Sequence, residues 1–258
     1  MIFWKSINCI IVLLTIITNF QLYLTKSSSN TTQIKCNDYN NLEEFMLKLT
    51  GYISETQYQY PTNDNEFSTY CKNVKSGSKS TKEYSQQCLQ QNPSGKSILM
   101  IMSYSFIQSI KKYCSRRVPK IRNELIEIAK CVNPNRKHLA KCWQIYLNRM
   151  NLIFNVEPNN NKFPYLCCIT DLFSTCMAEK LRNYGNPICT EKIINQFQQF
   201  YGSTMGNVMN FACENFEDQQ DRCEKMIEKQ QEKLTTGSIK PVNWRTPFPI
   251  LIEFFQTL

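Results

Sequence analysis

The chain has 258 residues, 42% of them hydrophobic, and 30 Lys and Arg against 21 Asp and Glu give a formal charge of +9. That apolar content excludes a disordered chain, and seven glycines are too few for the tight turns of an all-β protein of this size. A single histidine, His138, excludes a His-rich metal site and leaves a Ser-His-Asp triad without support.

The first element in chain order is an apolar run, Ile7 to Phe20, with Lys5 before it and polar Thr25-Lys-Ser-Ser-Ser after it. This is the layout of a secretory signal peptide, placed at residues 1–26. The run is short for a membrane span, which needs about 20 residues, so cleavage is preferred over an uncleaved anchor and the mature chain is expected to have no membrane span. Asn30-Thr31-Thr32 follows as a glycosylation sequon at Asn30.

A single cysteine-rich domain is expected over residues 27–240. Asp38 is positioned to cap a helix whose face is Leu42, Phe45, Met46, Leu49, Tyr52 and Ile53. Tyr60-Pro61-Thr-Asn-Asp-Asn breaks it, and Lys75 to Lys82, rich in Ser and Gly, predicts a basic surface loop. Ser97 opens an apolar helix ending in Lys111-Lys112, where cations suit the helix dipole. Pro119, Asn133-Pro134, Pro164 and Asn186-Pro187 each precede a 3.6-residue apolar pattern, as prolines do at helix starts. Val156 to Lys162 predicts a loop, Gly185 a helix stop, and Gly202 a C-cap followed by separate helices over 203–216 and 218–234. No strand pattern appears. The fold class expected is all-α, a disulfide-braced bundle of about eight helices. Residues 241–258 form a C-terminal tail with Trp244 and the apolar run Ile250 to Phe255. It either packs on the body or, with Thr236-Gly237-Ser238 upstream, acts as a lipid-anchor signal, a reading that Glu253 weakens.

Thirteen cysteines are the strongest signal. Cys9 belongs to the leader. The other twelve, Cys36, Cys71, Cys88, Cys114, Cys131, Cys142, Cys167, Cys168, Cys176, Cys189, Cys213 and Cys223, form an even set fit for six disulfides in an oxidising compartment. No C-x-x-C occurs, so zinc ribbons and thioredoxin-like chemistry lose their signature. Connectivity is open, except that adjacent Cys167 and Cys168 must bond to different partners. The pair resembles that of secreted phospholipases, but Ile169-Thr170-Asp171 follows with no histidine to activate water, so that class is rejected. Neither a catalytic residue nor a cofactor or metal site is assigned.

Charge is segregated. Residues 36–71 carry six acids and one base, and residues 72–141 carry fifteen bases and three acids. Lys111, Lys112, Arg116, Arg117, Lys120 and Arg122 crowd into twelve residues and make a candidate site for an extracellular polyanion, a sulfated glycan or an anionic headgroup. The export signal argues against nucleic acid. His138, among Arg136, Lys137 and Lys141, reads as a surface residue at a helix start.

From Tyr113-Cys114-Ser-Arg-Arg through Cys131, Cys142, Tyr165-Leu-Cys167-Cys168, Cys176, Cys189, Cys213 and Cys223, the spacing resembles cysteine-rich helical proteins secreted by arthropods, such as the 27 kDa haemolymph glycoproteins. The resemblance covers residues 107–225 and implies an extracellular, helical, non-enzymatic protein, with no site residues to transfer. The function expected is secreted and extracellular, acting by binding and not by catalysis. The alternative is a carrier whose cavity, lined by Met100, Met102, Phe106, Met205 and Met209, holds a lipid or other apolar ligand.

Overall fold

The computed structural model describes residues 36, 39–115, 119–157, 159–213, 223–228 and 244–256. Among these it forms eight α-helices and no strand: α1 Asn40–Thr50, α2 Asp64–Cys88, α3 Pro93–Cys114, α4 Pro119–Val132, α5 Arg136–Val156, α6 Asn159–Tyr184, α7 Glu191–Cys213 and α8 Phe248–Gln256. Residues 223–228 are also helical. The all-α bundle read from the sequence is the fold. Ile34–Leu258 forms one unit, apart from Met1–Gln33.

Polar caps start the early helices. Asn63 accepts from the backbone N–H of Asn65 and Glu66, and Glu66 in turn accepts from Thr62 N–H at 2.7 Å. This reciprocal arrangement satisfies donors that the first turn of α2 leaves open. Asn92 caps α3 through Gly95 N–H at 2.9 Å, with Pro93 in the first turn. The cap expected at Asp38 lies outside the described residues; Tyr39, next in the chain, makes no side-chain cap bond.

The basic loop expected over 75–82 is instead the middle of the 25-residue helix α2. Phe67, Tyr70, Val74, Gly77, Thr81, Tyr84 and Ser85 form its buried face. That face packs on α1 so closely that a Cβ on Gly77 would stand 2.8 Å from both Lys48 Cβ and the Phe45 carbonyl oxygen. The Thr81 hydroxyl donates to Gly77 O at 2.8 Å, which keeps a polar side chain satisfied at a buried position. The small residues that read as loop chemistry are what lets α1 and α2 touch.

Two other boundaries move. The loop expected over 156–162 is shorter, because α6 begins at Asn159 and runs through Pro164. Near a helix start a proline forfeits only a single backbone hydrogen bond. Gly202 does not cap: α7 continues through it to Cys213. A Cβ there would meet nothing within 4 Å, so the glycine is not required by close packing. Its cost in a helix, about 0.5–1 kcal/mol, is overcome by the buried Phe197 and Phe200 before it and the cystine at Cys213.

All twelve cysteines pair: Cys36–Cys88, Cys71–Cys114, Cys131–Cys189, Cys142–Cys176, Cys167–Cys213 and Cys168–Cys223. The Cα–Cα distances, 5.0 to 5.9 Å, suit cystine geometry. Cys71–Cys114 ties α2 to α3, Cys142–Cys176 ties α5 to α6, and Cys167–Cys213 ties α6 to α7. The core between them is rich in tyrosine. Tyr52, Tyr60 and Tyr70 pack together with ring centroids 5.0 to 6.2 Å apart, and Phe200 of α7 meets Tyr60 at 5.5 Å and Tyr113 at 5.0 Å. Burial raises the pKa of Tyr52, Tyr60 and Tyr70 well above that of a free phenol, and pushes Tyr113 up to about 12.

The C-terminal residues join this same body. Phe248, Ile250, Leu251 and Ile252 of α8 are buried against α3, α1 and α5.

Candidate functional site

The candidate polyanion residues fall around the turn from α3 to α4. Lys111 and Lys112 occupy the exposed last turn of α3, and Lys120 the exposed start of α4. Arg116 and Arg117 lie outside the described residues, as does the sequon Asn30. Arg122 is already engaged: it pairs with Asp64 at 2.8 Å and lies over the Phe67 ring, 4.4 Å from its centroid. Lys112 lies over Tyr113, with Nζ 4.9 Å from the ring centroid. Lys120 lines a groove of about 600 Å³ between α4 and α7, where Lys192 stands with Glu124 and Glu127. Opposite charges stand together inside that groove, while Lys111 and Lys112 are exposed with no ion pair among the described residues.

The suggested carrier lining sits elsewhere. Phe106 belongs to the hydrophobic core and Met102 packs against it, while Met100 is buried with its sulfur accepting from the Ser85 hydroxyl at 2.9 Å. The side chains of Met205 and Met209 lie outside the described residues.

The helix start expected to be a surface carries two unlike residues. His138 stacks on the exposed ring of Tyr184, with centroids 3.8 Å apart. Arg136, at the helix start where His138 reads as a surface residue, is buried. Its Nε donates to Ser54 O at 2.9 Å, and its Nη2 bonds to both Ser54 O and Thr56 O. Desolvation lowers its pKa, opposed by the nearby Glu55 carboxylate. A fork of fixed donors suits two backbone carbonyls in a way a lysine would not. Arg136 thereby pins the loop after α1 to the start of α5.

That pinned loop forms one wall of a groove of about 640 Å³. Ser54, Glu55 and Thr56 line it on one side, Lys137, Lys141, Gln144 and Asn148 of α5 on another, and Trp143, Trp244 and Arg245 complete it. The α5 residues recur at the spacing of one helical face. Trp143 is buried, and its indole N–H donates to Arg245 O at 2.8 Å. Trp244 meets Tyr39 edge-on at 5.8 Å. Arg245 is held by Glu44 at 2.6 Å, and its backbone N–H donates to the buried Glu43 carboxylate at 3.0 Å. Thr246 adds its backbone N–H at 2.7 Å and its hydroxyl at 2.9 Å to the same carboxylate.

The sequence signals noted for this groove were a basic helix start and a tryptophan in the tail. Nothing local joined them, because Trp143 and Arg245 stand 102 residues apart. Among the described residues, no three His, Cys, Asp or Glu side chains gather as metal ligands would, and no helix is long and apolar enough to cross a membrane. No protein-family model, curated protein or solved structure matches the chain.

Proposed function

We propose that the chain is an exported extracellular protein, of the cysteine-rich helical kind its spacing resembles, that binds a sulfated polyanion at the turn from α3 to α4. The observation that carries the reading is the combination at that turn. Lys111 and Lys112 are exposed with no ion pair among the described residues, and Arg116, Arg117 and Lys120 follow within nine residues. Such a cluster attracts a chain of fixed negative charges more strongly than a single anion, and salt weakens it. Six disulfides support the extracellular setting, since a cytosol would keep the thiols reduced.

Retention on a heparin column tests the reading. The oxidised protein is expected to elute above physiological salt, and Lys111→Glu with Arg116→Glu to elute below it. Elution of the unaltered protein at or below physiological salt overturns it.

A further inference from the structure

The chain has three tryptophans. Trp4 stands near the N-terminus; the other two both line the groove between α5 and the residues before α8. Beside them, Lys137 and Lys141 lie one helical turn apart on α5, exposed and free of ion pairs among the described residues. Arg245 is committed to Glu43 and Glu44, and Glu55 is the groove's one carboxylate. Two uncommitted ammonium groups therefore face a space walled by indole, amide and hydroxyl.

That mixture selects a ligand class. A lipid tail needs a predominantly apolar lining, which Gln144, Asn148, Thr56 and the two lysines deny it. A sugar ring carries a C–H face that packs on an aromatic surface and a rim of hydroxyls that bond to amides. Paired lysines add a requirement for negative charge. We propose that this groove binds an acidic carbohydrate, its ring against Trp244 and its carboxylate or sulfate between Lys137 and Lys141. The site does not depend on the α3–α4 turn: α4 lies between them, about 21 Å long by its fourteen residues.

Tryptophan emission of the exported protein reads the groove, since Trp143 and Trp244 are the two tryptophans outside the leader expected over residues 1–26. Titration with a heparin-derived tetrasaccharide is expected to change the emission saturably, while neutral maltotetraose and sodium sulfate leave it unchanged. Lys137→Gln with Lys141→Gln should weaken binding roughly tenfold, the loss of two exposed charge contacts. Both positions are exposed, so the helical circular-dichroism signal and melting temperature should be retained. Lys111→Glu with Arg116→Glu should keep the emission change while eluting from heparin at lower salt than the unaltered protein, which separates this site from the polyanion turn. An absent emission change, an equal change in the lysine double variant, or the same change with sulfate or maltotetraose overturns the proposal.

Discussion

Glu43→Ala tests how the C-terminal residues are held. Of the eight helices, α8 is the one that lies beyond the last cystine, Cys168–Cys223, so it is attached by noncovalent contacts alone. At its entry, beside the Glu44 and Trp143 contacts of Arg245, one buried carboxylate gathers the backbone. Glu43, only 3% exposed, takes the backbone N–H of Arg245 and both the N–H and hydroxyl of fully buried Thr246. Charge-assisted bonds of this kind contribute about 1.5–3 kcal/mol each, and not additively. Removing the acceptor also leaves a buried N–H without a partner, so the loss should resemble that of a broken buried ionic contact, about 3–5 kcal/mol. For a unit of this size each kcal/mol is worth roughly 2–4 °C, which places the fall in Tm at about 6–20 °C by calorimetry. Glu43→Gln keeps one carbonyl acceptor and should lose roughly half as much. Amide hydrogen exchange supplies the local readout, since the Thr246 N–H should lose protection before the core of α5 does. A Tm within about 1 °C of the unaltered protein, with Thr246 protection unchanged, refutes the anchoring role.

Gly77→Ala should lower Tm by about 2–8 °C, because overpacking against Lys48 Cβ and Phe45 O outweighs the gain of about 1 kcal/mol in helix propensity; a rise in Tm would show that α1 and α2 separate at little cost. Alkaline pH should unfold the protein through its tyrosines. Burial raises Tyr52, Tyr60, Tyr70, Tyr146 and Tyr201 above the free value. The unfolded state therefore ionises first, and stability, full below pH ~10, falls above it by about 1.4 kcal/mol per pH unit for each such tyrosine. Phenolate absorbance should rise together with loss of helical signal, and buried tyrosines titrating near pH 10 in a still-helical protein would contradict this. A specific protease site inserted between Ser115 and Pro119 should give, after cleavage, two fragments that stay together in native conditions and separate on a denaturing gel without reductant. Co-migration on that gel would contradict the disulfide pairing described above.

Much of the bundle was legible because helix starts and apolar faces are local. Pro119 opens α4, and the face of Leu42, Met46 and Leu49 is buried on α1 as its spacing predicts. The misread boundaries have two causes. Gly77 and Thr81 carry turn-forming chemistry in isolation, and only the presence of α1 explains why a helix needs small residues there. At Gly202 the weak local preference for a stop lost to buried aromatics on the same helix. The cysteine count announced six bridges but not their partners, since separations of 34 to 58 residues leave many pairings open. Arg136 looked like one more surface cation, and only the fold brings the Ser54 and Thr56 carbonyls to its guanidinium.

The pairing divides the chain into two covalent sets. Cys36–Cys88 and Cys71–Cys114 close the first, and the remaining four bridges lie between Cys131 and Cys223. No bridge crosses between them, so the seam is held by weaker contacts. Asn133 exchanges two hydrogen bonds with the Tyr60 backbone, at 2.8 and 3.1 Å. Arg136 holds the loop after α1, and Phe200 packs between Tyr60 and Tyr113. The residues entering α8 straddle the same seam, because Arg245 gives its N–H to Glu43 of the first set and accepts at its carbonyl from Trp143 of the second. The tryptophan groove is built from all three pieces: the loop at Ser54, the face of α5 and the residues before α8. A ligand seated there would touch both covalent sets and the C-terminal segment that lies beyond the last cystine. Its binding energy would therefore add directly to the stability of the seam, where the disulfides contribute nothing.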